Sequence, residues 1–231
     1  MMHITILTLF PDMFPGPLGH SIIGRATKQG HIDLTVINIR DFATDAYQSV
    51  DDRPYGGGAG MVMRVDIADK AITHARSLHP DCPSTVVLLD PQGKQYKEQN
   101  ALDLSDKKHL IFFCAHYEGI DERIRSLVDQ EISIGDYILT GGELPAMVVI
   151  DSIVRLIPGV LPKEASPKDE SFTTDPNLLE YPHYTKPQEY HDVRVPDVLL
   201  SGNHKEIKEW REQESQKRTK LRRPDLLSSK K

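Results

Sequence analysis

Three glycine-bearing stretches carry residue types suited to holding a ligand. The first is Arg53-Pro54-Tyr55-Gly56-Gly57-Gly58-Ala59-Gly60-Met61. Glycine lets a backbone approach a ligand closely or take a positive φ. A dinucleotide-binding turn must follow a strand directly and open a helix. Here Asp41–Tyr55 separates the glycines from the nearest apolar run, which speaks against a Rossmann cofactor turn. A P-loop is excluded as well, because Gly93-Lys94 is followed by Gln95 rather than Ser or Thr. The second stretch is Cys114-Ala115-His116-Tyr117-Glu118-Gly119-Ile120-Asp121-Glu122-Arg123. It leaves an apolar run and leads into helical spacing, where open α/β sheets bind their ligands. His116 and Glu118 would serve equally as a polar turn capping that helix. No second His or Cys stands nearby at ligand spacing, so no metal set is expected there.

The third stretch runs from Ile132 through Ile134-Gly135-Asp136-Tyr137-Ile138-Leu139-Thr140-Gly141-Gly142 to Glu143-Leu144-Pro145. Paired glycines before a helix permit close backbone packing and leave N–H groups for a ligand. Downstream, Asp151 and Arg155 stand four residues apart on that helix, so they share a face and can pair. The alternative is an ordinary surface ion pair.

These stretches need a scaffold. Four short apolar runs read as buried strands: Ile4–Leu9, Ile32–Ile39, Thr85–Leu89 and Leu110–Cys114. A further short strand precedes the third glycine stretch. Helical spacing predicts Asp66–Leu78, Gln95–Leu104, Gly119–Val128 with Ile120, Ile124 and Leu127 on one face, and Glu143–Ile157 with Pro145 in its first turn. Pro158-Gly159 stops the last of these. The alternation implies an α/β domain with a mostly parallel sheet. Residues 162–187 are polar and broken by Pro162, Pro167, Pro176, Pro182 and Pro187, as a linker would be. Val195–Leu200 is short and apolar. Asn203–Leu221 reads as a helix with Ile207, Trp210 and Glu214 on one side, within a small helical second domain.

Composition narrows the function classes. The 231 residues are 39% hydrophobic and 27% charged, which rules out a collagen-like or disordered chain. Leu144–Ile150 and Ile153–Ile157 fall short of the roughly 18 apolar residues a membrane helix needs, so no membrane association is expected. The first ten residues alternate like a strand and lack the basic start of a signal peptide. Cys82 and Cys114 form no C-x-x-C and read as two buried cytosolic thiols. The net charge of −6 hides an asymmetry. Residues 201–231 hold ten basic and five acidic residues, whereas residues 1–200 hold 18 and 29. A basic tail on an acidic body suits phosphate binding if the body acts on nucleic acid. Otherwise it is a solvated helix with a frayed, charged end.

Taken together, Gly-Gly-Gly-Ala-Gly-Met, Tyr-Glu-Gly-Ile-Asp-Glu-Arg, Ile-Gly-Asp-Tyr-Ile-Leu-Thr-Gly-Gly-Glu-Leu-Pro-Ala, Glu-Tyr-Pro-His-Tyr-Thr-Lys-Pro and Leu-Leu-Ser-Gly-Asn-His occur in that order. In combination they resemble the bacterial tRNA (guanine-N1)-methyltransferase family, TrmD, from residue 1 to about Leu227. The resemblance implies a SPOUT-class α/β fold with a trefoil knot, an exception to the rule against knots. It implies S-adenosylmethionine bound in the knot of residues 1–162, a flexible interdomain linker at 163–177, and a helical C-terminal tRNA-binding domain at 178–231. It further implies a cytoplasmic homodimer that methylates N1 of guanosine 37, beside the anticodon, with the C-terminal domain on the anticodon arm. Magnesium in turnover is part of the family pattern, although no ligand set for it is visible.

Residue by residue, the resemblance assigns Leu88, Leu89, Asp90 and Pro91 to the strand-end loop of the adenosyl pocket. Ala115, where the family usually has Gly, joins Tyr117 and Glu118 in that pocket. Ile134, Gly135, Asp136, Tyr137, Ile138 and Leu139 match the knot loop, with Gly141 and Gly142 beside it. Ala59 stands where the family has proline. Arg155 matches an arginine that stabilises the reacting guanine. The general base of the family is an aspartate directly before Ser-Phe. Here Glu170 precedes Ser171-Phe172 and Asp169 lies one further back. Alignment without a gap makes Glu170 the base, while a local shift would present Asp169.

The chemistry fits these residue types. N1 of neutral guanine carries a proton, and a carboxylate that takes it as the methyl arrives is worth about 10²–10⁴-fold. Charge then spreads to O6, where a planar guanidinium can stabilise it. Tyr181, His183, Tyr184 and His204 are candidates for stacking on unpaired bases or for plain packing of the second domain. Two alternatives stay open: a SPOUT RNA methyltransferase with another target base, and a non-catalytic RNA-binding SPOUT module.

Overall fold

The computed structural model describes residues 1–162, 170–173 and 175–228. The chain divides into two compact units, Met1–Glu164 and Ala165–Lys231.

The first unit is built on five parallel strands: β1 (Met2–Thr8), β2 (Ile32–Asn38), β3 (Ser84–Gln95), β4 (His109–Cys114) and β5 (Gln130–Ser133). Their order across the sheet is β2-β1-β4-β3-β5. The near-continuous apolarity of the central strands follows from burial on both faces. Along β4, Leu110, Phe112 and Cys114 enter one core while Ile111 and Phe113 enter the other. In β3, Val87 and Leu89 divide from Val86 and Leu88 in the same way. Helices cover both faces. α1 (Ser21–Lys28), α3 (Glu98–Ser105) and α4 (Glu143–Val154) contribute Ile23, Ala101, Leu104, Met147, Ile150 and Ile153 to the first core. α2 (Val65–Ser77) contributes Ile67, Ala68, Ala71, Ile72 and Ala75 to the second. No helix among the described residues is long and apolar enough to cross a membrane.

Several elements differ from the sequence reading. β3 runs on to Gln95 because Leu89 and Lys94 both sit opposite Ile132, which throws Asp90–Gly93 out as a bulge. The next helix therefore starts at Glu98 rather than Gln95, with Lys97 N–H donating to Asn100 Oδ1 at 2.9 Å. The expected helix Gly119–Val128 is a 3₁₀ segment, Glu122–Leu127. Gly119 has φ 138° and Ile120 is bridged to Met63, so the chain is extended where the helix was expected to begin. Ile124 is nevertheless buried in the second core. α4 ends at Val154 and not at Ile157. α1 carries no sequence signal at its start: His20 makes no side-chain cap, and Gly24 is interior. Cys114 is buried as expected, but Cys82 is only partly so.

In the second unit, α5 (His204–Arg222) is capped by Asn203, whose Oδ1 accepts from the N–H groups of Lys205 and Glu206 at 3.2 and 3.4 Å. Ser171, Phe172, Leu178, Leu179 and Glu180 are held by local hydrogen bonds. Phe172 N–H donates to the Leu178 carbonyl at 3.0 Å, Glu180 N–H to Ser171 Oγ at 2.9 Å, and Leu179 N–H to Thr219 Oγ1 of α5 at 2.9 Å. Tyr181 lies under the Arg211 guanidinium at 4.6 Å and beside His183 at 4.8 Å. A short antiparallel ladder, Glu189–Tyr190 with Val193–Arg194, precedes a single helical turn at Asp197–Leu200.

Candidate active site

The C-terminal ends of β3, β4 and β5 open onto a cavity of about 510 Å³, a size suited to a small-molecule ligand. Its floor comes from the bulge residues Asp90, Pro91 and Gln92, together with Leu89. One wall is Ala115–Ile120, and the facing wall is Ile132–Gly135 and Tyr137–Gly142. Pro145, in the first turn of α4, closes one side. Of the residues expected at the cofactor, Leu89, Pro91, Ala115, Tyr117, Glu118, Ile134, Gly135, Tyr137, Ile138, Leu139, Gly141 and Gly142 come together here. Leu88 and Asp136 do not line it. Strand alternation turns Leu88 into the second core, and Asp136 is exposed on its loop.

Close packing of backbone on backbone holds the walls. Gly142 N–H donates to the Ala115 carbonyl at 2.8 Å, and Gly141 bridges His116. The 134–142 stretch is thereby docked on the end of β4. Beside it lies the buried Glu143, 2% exposed, which accepts a hydrogen bond from the Thr8 hydroxyl at 2.8 Å. Thr8 Oγ1 in turn accepts from Phe10 N–H at 2.9 Å, which ties the end of β1 to the site. His116 Nδ1 lies 3.8 Å from Glu143 Oε2 and makes no hydrogen bond among the described residues. Burial, followed by the neighbouring Glu143 carboxylate, pushes the Cys114 thiol well above its ordinary pKa.

Tyr117 turns the Ala115–Ile120 wall with φ 62°, uncommon for a residue with a side chain. Its hydroxyl accepts from Arg40 at 3.2 Å, and partial burial raises its pKa. The glycine-rich loop lies behind this wall. Glu118 N–H donates to the Met61 carbonyl at 3.1 Å, Met63 N–H to Gly119 at 3.0 Å, and Asp121 N–H to Met63 at 3.0 Å. Met61 and Met63 thus support the 117–121 loop, and Gly56–Gly60 before them does not line the cavity.

Arg125, which is not among the residues expected at the site, lines the cavity. Arg125 gathers three carboxylates: Asp90 at 3.2 Å, Glu122 at 3.0 Å, and Glu131, to which it also donates. Asp90 Oδ1 additionally accepts from Gln92 N–H at 2.7 Å, which shapes the bulge. Arg125, Glu131 and Asp90 come from separate segments, so only the Glu122–Arg125 pair of the cluster, three residues apart, had a spacing signal. Among the described residues the lining is net acidic, with Asp90, Glu118 and Glu122 against the single guanidinium of Arg125. Such a surface favours a cationic ligand.

Arg155 lies outside this cavity, directly after α4, where its N–H donates to the Asp151 carbonyl at 3.3 Å. That bond is the ordinary helical one; the side-chain pairing with Asp151 that the spacing suggested is not among the ion pairs of the described residues. Glu170 belongs to the second unit, where it lines a separate cavity with Tyr181, Lys208 and Arg211. Its carbonyl accepts from the Thr173 hydroxyl at 2.7 Å. Asp169 lies outside the described residues.

Residues 2–229 match the family described as tRNA (Guanine-1)-methyltransferase TrmD. The chain belongs to the TrmD family. It is 56% identical to a tRNA (guanine-N(1)-)-methyltransferase of Carboxydothermus hydrogenoformans over 98% of this chain and 87% of the relative. Identity to the enzymes of the same name from Geobacillus kaustophilus and Anoxybacillus flavithermus is 54%. Those alignments cover 98% and 99% of this chain, and 91% and 92% of the relatives. Within the TrmD family frame, the cavity walls are the segments that the resemblance assigns to the adenosyl pocket.

Proposed function

We propose that this chain is a tRNA (guanine-N1)-methyltransferase that carries a methyl group from S-adenosylmethionine to N1 of guanosine 37, beside the anticodon. The observation that carries the reading is the acidic cavity at the strand ends, in a chain that matches the TrmD family over nearly its whole length. The cavity fits the cofactor chemically. With Asp90 and Glu122 held by Arg125, Glu118 complements a sulfonium or an amino group, while Leu89, Ile134 and Pro145 offer apolar surface to an adenine. When bound, S-adenosylmethionine supplies a methyl already joined to its leaving group.

The protein's own work is then orientation and proton transfer. Gly141 and Gly142 let the 134–142 wall approach the end of β4 closely enough to hold a ligand between them. A linker carboxylate, Glu170 or Asp169, takes the N1 proton. Arg155 stabilises the charge that develops on the guanine. Residues 163–177 act as the interdomain linker, and the candidate base settles at the guanine when tRNA binds, an induced-fit source of specificity. The helical second domain, residues 178–231, takes the anticodon arm through its basic end. The trefoil knot rests on membership of the TrmD family. The homodimer is supported by apolar surface beside the cavity: Ile138 is 80% exposed, and Leu144 and Val148, sharing a face of α4, are half-exposed. The expected location is the bacterial cytoplasm.

The test is to incubate the purified protein with labelled S-adenosylmethionine and an unmodified tRNA carrying G at positions 36 and 37, then map the methyl by nuclease digestion and mass spectrometry. N1-methylguanosine at position 37 is the expected product. A methyl at another base, or none with cofactor binding intact, overturns the reading. Glu170→Gln and Asp169→Asn then separate the two bases. The true one lowers kcat by about 10²–10⁴-fold, with cofactor affinity kept. Omitting magnesium from the same assay tests whether turnover depends on it.

A further inference from the structure

The opposite ends of the strands hold a cluster of imidazoles that methyl transfer leaves unused. His3, near the start of β1, stands in register with Asp33 of β2 on one side and His109 of β4 on the other. His79 follows α2 in the chain and stacks on His3, with ring centroids 3.6 Å apart and an interplanar angle of 24°. His3 Nδ1 lies 3.2 Å from Asp33 Oδ2, and His79 Nε2 lies 4.0 Å from the same oxygen. One donor atom from each of the three residues falls within 4.8 Å of the others. All three keep some exposure to solvent. Behind them the fully buried His109 meets the His79 ring edge-on at 4.9 Å. Its Nε2 is 3.0 Å from Thr5 Oγ1, and its Nδ1 has no hydrogen-bond partner among the described residues.

We propose that His3, His79 and Asp33 form a binding site for a divalent transition-metal ion of the zinc, cobalt and nickel class, at the end of the sheet away from the methyl-transfer cavity. Two imidazoles and one carboxylate are a ligand set that zinc accepts, with a fourth position left to water. Bond lengths of about 2.0–2.2 Å put tetrahedral donors roughly 3.3–3.6 Å apart. The spacings of 3.2 and 4.0 Å bracket that range, and the stacked His79 ring has to turn so that its in-plane lone pair converges with that of His3 on the ion. Sheet register holds two of the ligands, because His3 and Asp33 are paired residues on neighbouring parallel strands. Nitrogen donors disfavour magnesium and calcium, which take oxygen. This site is therefore chemically distinct from any magnesium used in turnover. A bound ion would cross-link β1 and β2 to the segment that follows α2.

The rival explanation for the cluster is a histidine–carboxylate contact that holds only protons. Calorimetry on the untagged, chelator-stripped full chain separates the two, with Zn2+, Co2+ and Mg2+ titrated separately. One Zn2+ per chain is expected, with the visible absorption of four-coordinate cobalt when Co2+ replaces it and no saturable heat from Mg2+. Asp33→Asn and His79→Ala should each weaken Zn2+ by at least about tenfold, the lower end of what loss of even an outer-shell partner costs. His20→Ala, at an exposed histidine elsewhere, should leave Zn2+ affinity unchanged. Asp33→Asn preserves the side-chain shape, so it reads the site even if His79→Ala disturbs the fold. Absence of stoichiometric Zn2+ binding, or affinity unchanged in both ligand variants, overturns the proposal.

Discussion

Two glycine clusters lie near the candidate site, and glycine is needed for opposite reasons in each. Gly142 has φ −79°, a conformation open to any residue. A Cβ placed there would sit 2.7 Å from Cys114 Cα and 2.9 Å from Ala115 N, both backbone atoms with nowhere to move. Gly57 has φ 80°, and a Cβ there would meet nothing within 4 Å. The first glycine is required by space and the second by conformation. Only the first lines the cavity. A glycine run in sequence therefore marks either a contact or a turn, and the two predict different costs.

The largest effect should follow Gly142→Ala. Pushing residues 134–142 off the end of β4 should cost about 3 kcal/mol in urea denaturation. It should also weaken S-adenosylmethionine by more than about tenfold (roughly 1.4 kcal/mol) in calorimetry. Wild-type behaviour would mean that the strand end yields, and that the contrast with Gly57 is false. Next comes Glu143→Ala beside it. Losing the acceptor of the Thr8 hydroxyl in a buried site should destabilise by about 1–3 kcal/mol, whereas Glu143→Gln keeps that bond and should lose less. Thermal unfolding of the pair checks this, and an equal loss in both would show that charge, not the hydrogen bond, matters. Gly57→Ala should cost about 1–2 kcal/mol through its left-handed backbone, with cofactor affinity unchanged. Gly57→Asn should cost less, since Asn tolerates that conformation. The smallest effect is a labelling pattern. Iodoacetamide should modify the partly exposed Cys82 and spare Cys114, which is buried with its thiol pKa raised. In Gly142→Ala, Cys114 should become reactive, as peptide mass spectrometry would reveal.

The strands were legible because both faces of the sheet are buried, so β1, β3 and β4 appear as plain apolar runs. α2 and α4 were legible from helical spacing. α1 was not, because it lacks a cap and carries Gly24 inside. The bulge at Asp90–Gly93 was hidden as well: its shape depends on Ile132 pairing twice, a tertiary fact without a local signature. The cavity walls at Ala115–Glu118 and Ile134–Gly142 were readable as glycine-bearing strand exits. Arg125 and its three carboxylates were not, since no spacing rule joins Asp90, Glu122 and Glu131. The same holds for His3, Asp33 and His79, which only strand register and the end of α2 bring together. Leu88 and Leu89 teach the limit of motif transfer: adjacent residues of one matched loop face opposite cores.

The interior place of β1, between β2 and β4, has a consequence for how the chain is made. Met2–Thr8 leaves the ribosome well before His109–Cys114, one of its two neighbours in the sheet. At about 5–20 residues per second, roughly 5–20 seconds of synthesis separate the two. During that time only Ile32–Asn38 is available to pair with the first strand, and its other edge stands open. Nascent chains stalled before and after residue 114 should therefore differ sharply in protease resistance at Met2–Thr8. The interval between them is the period in which this protein is most exposed to pairing with the wrong chain.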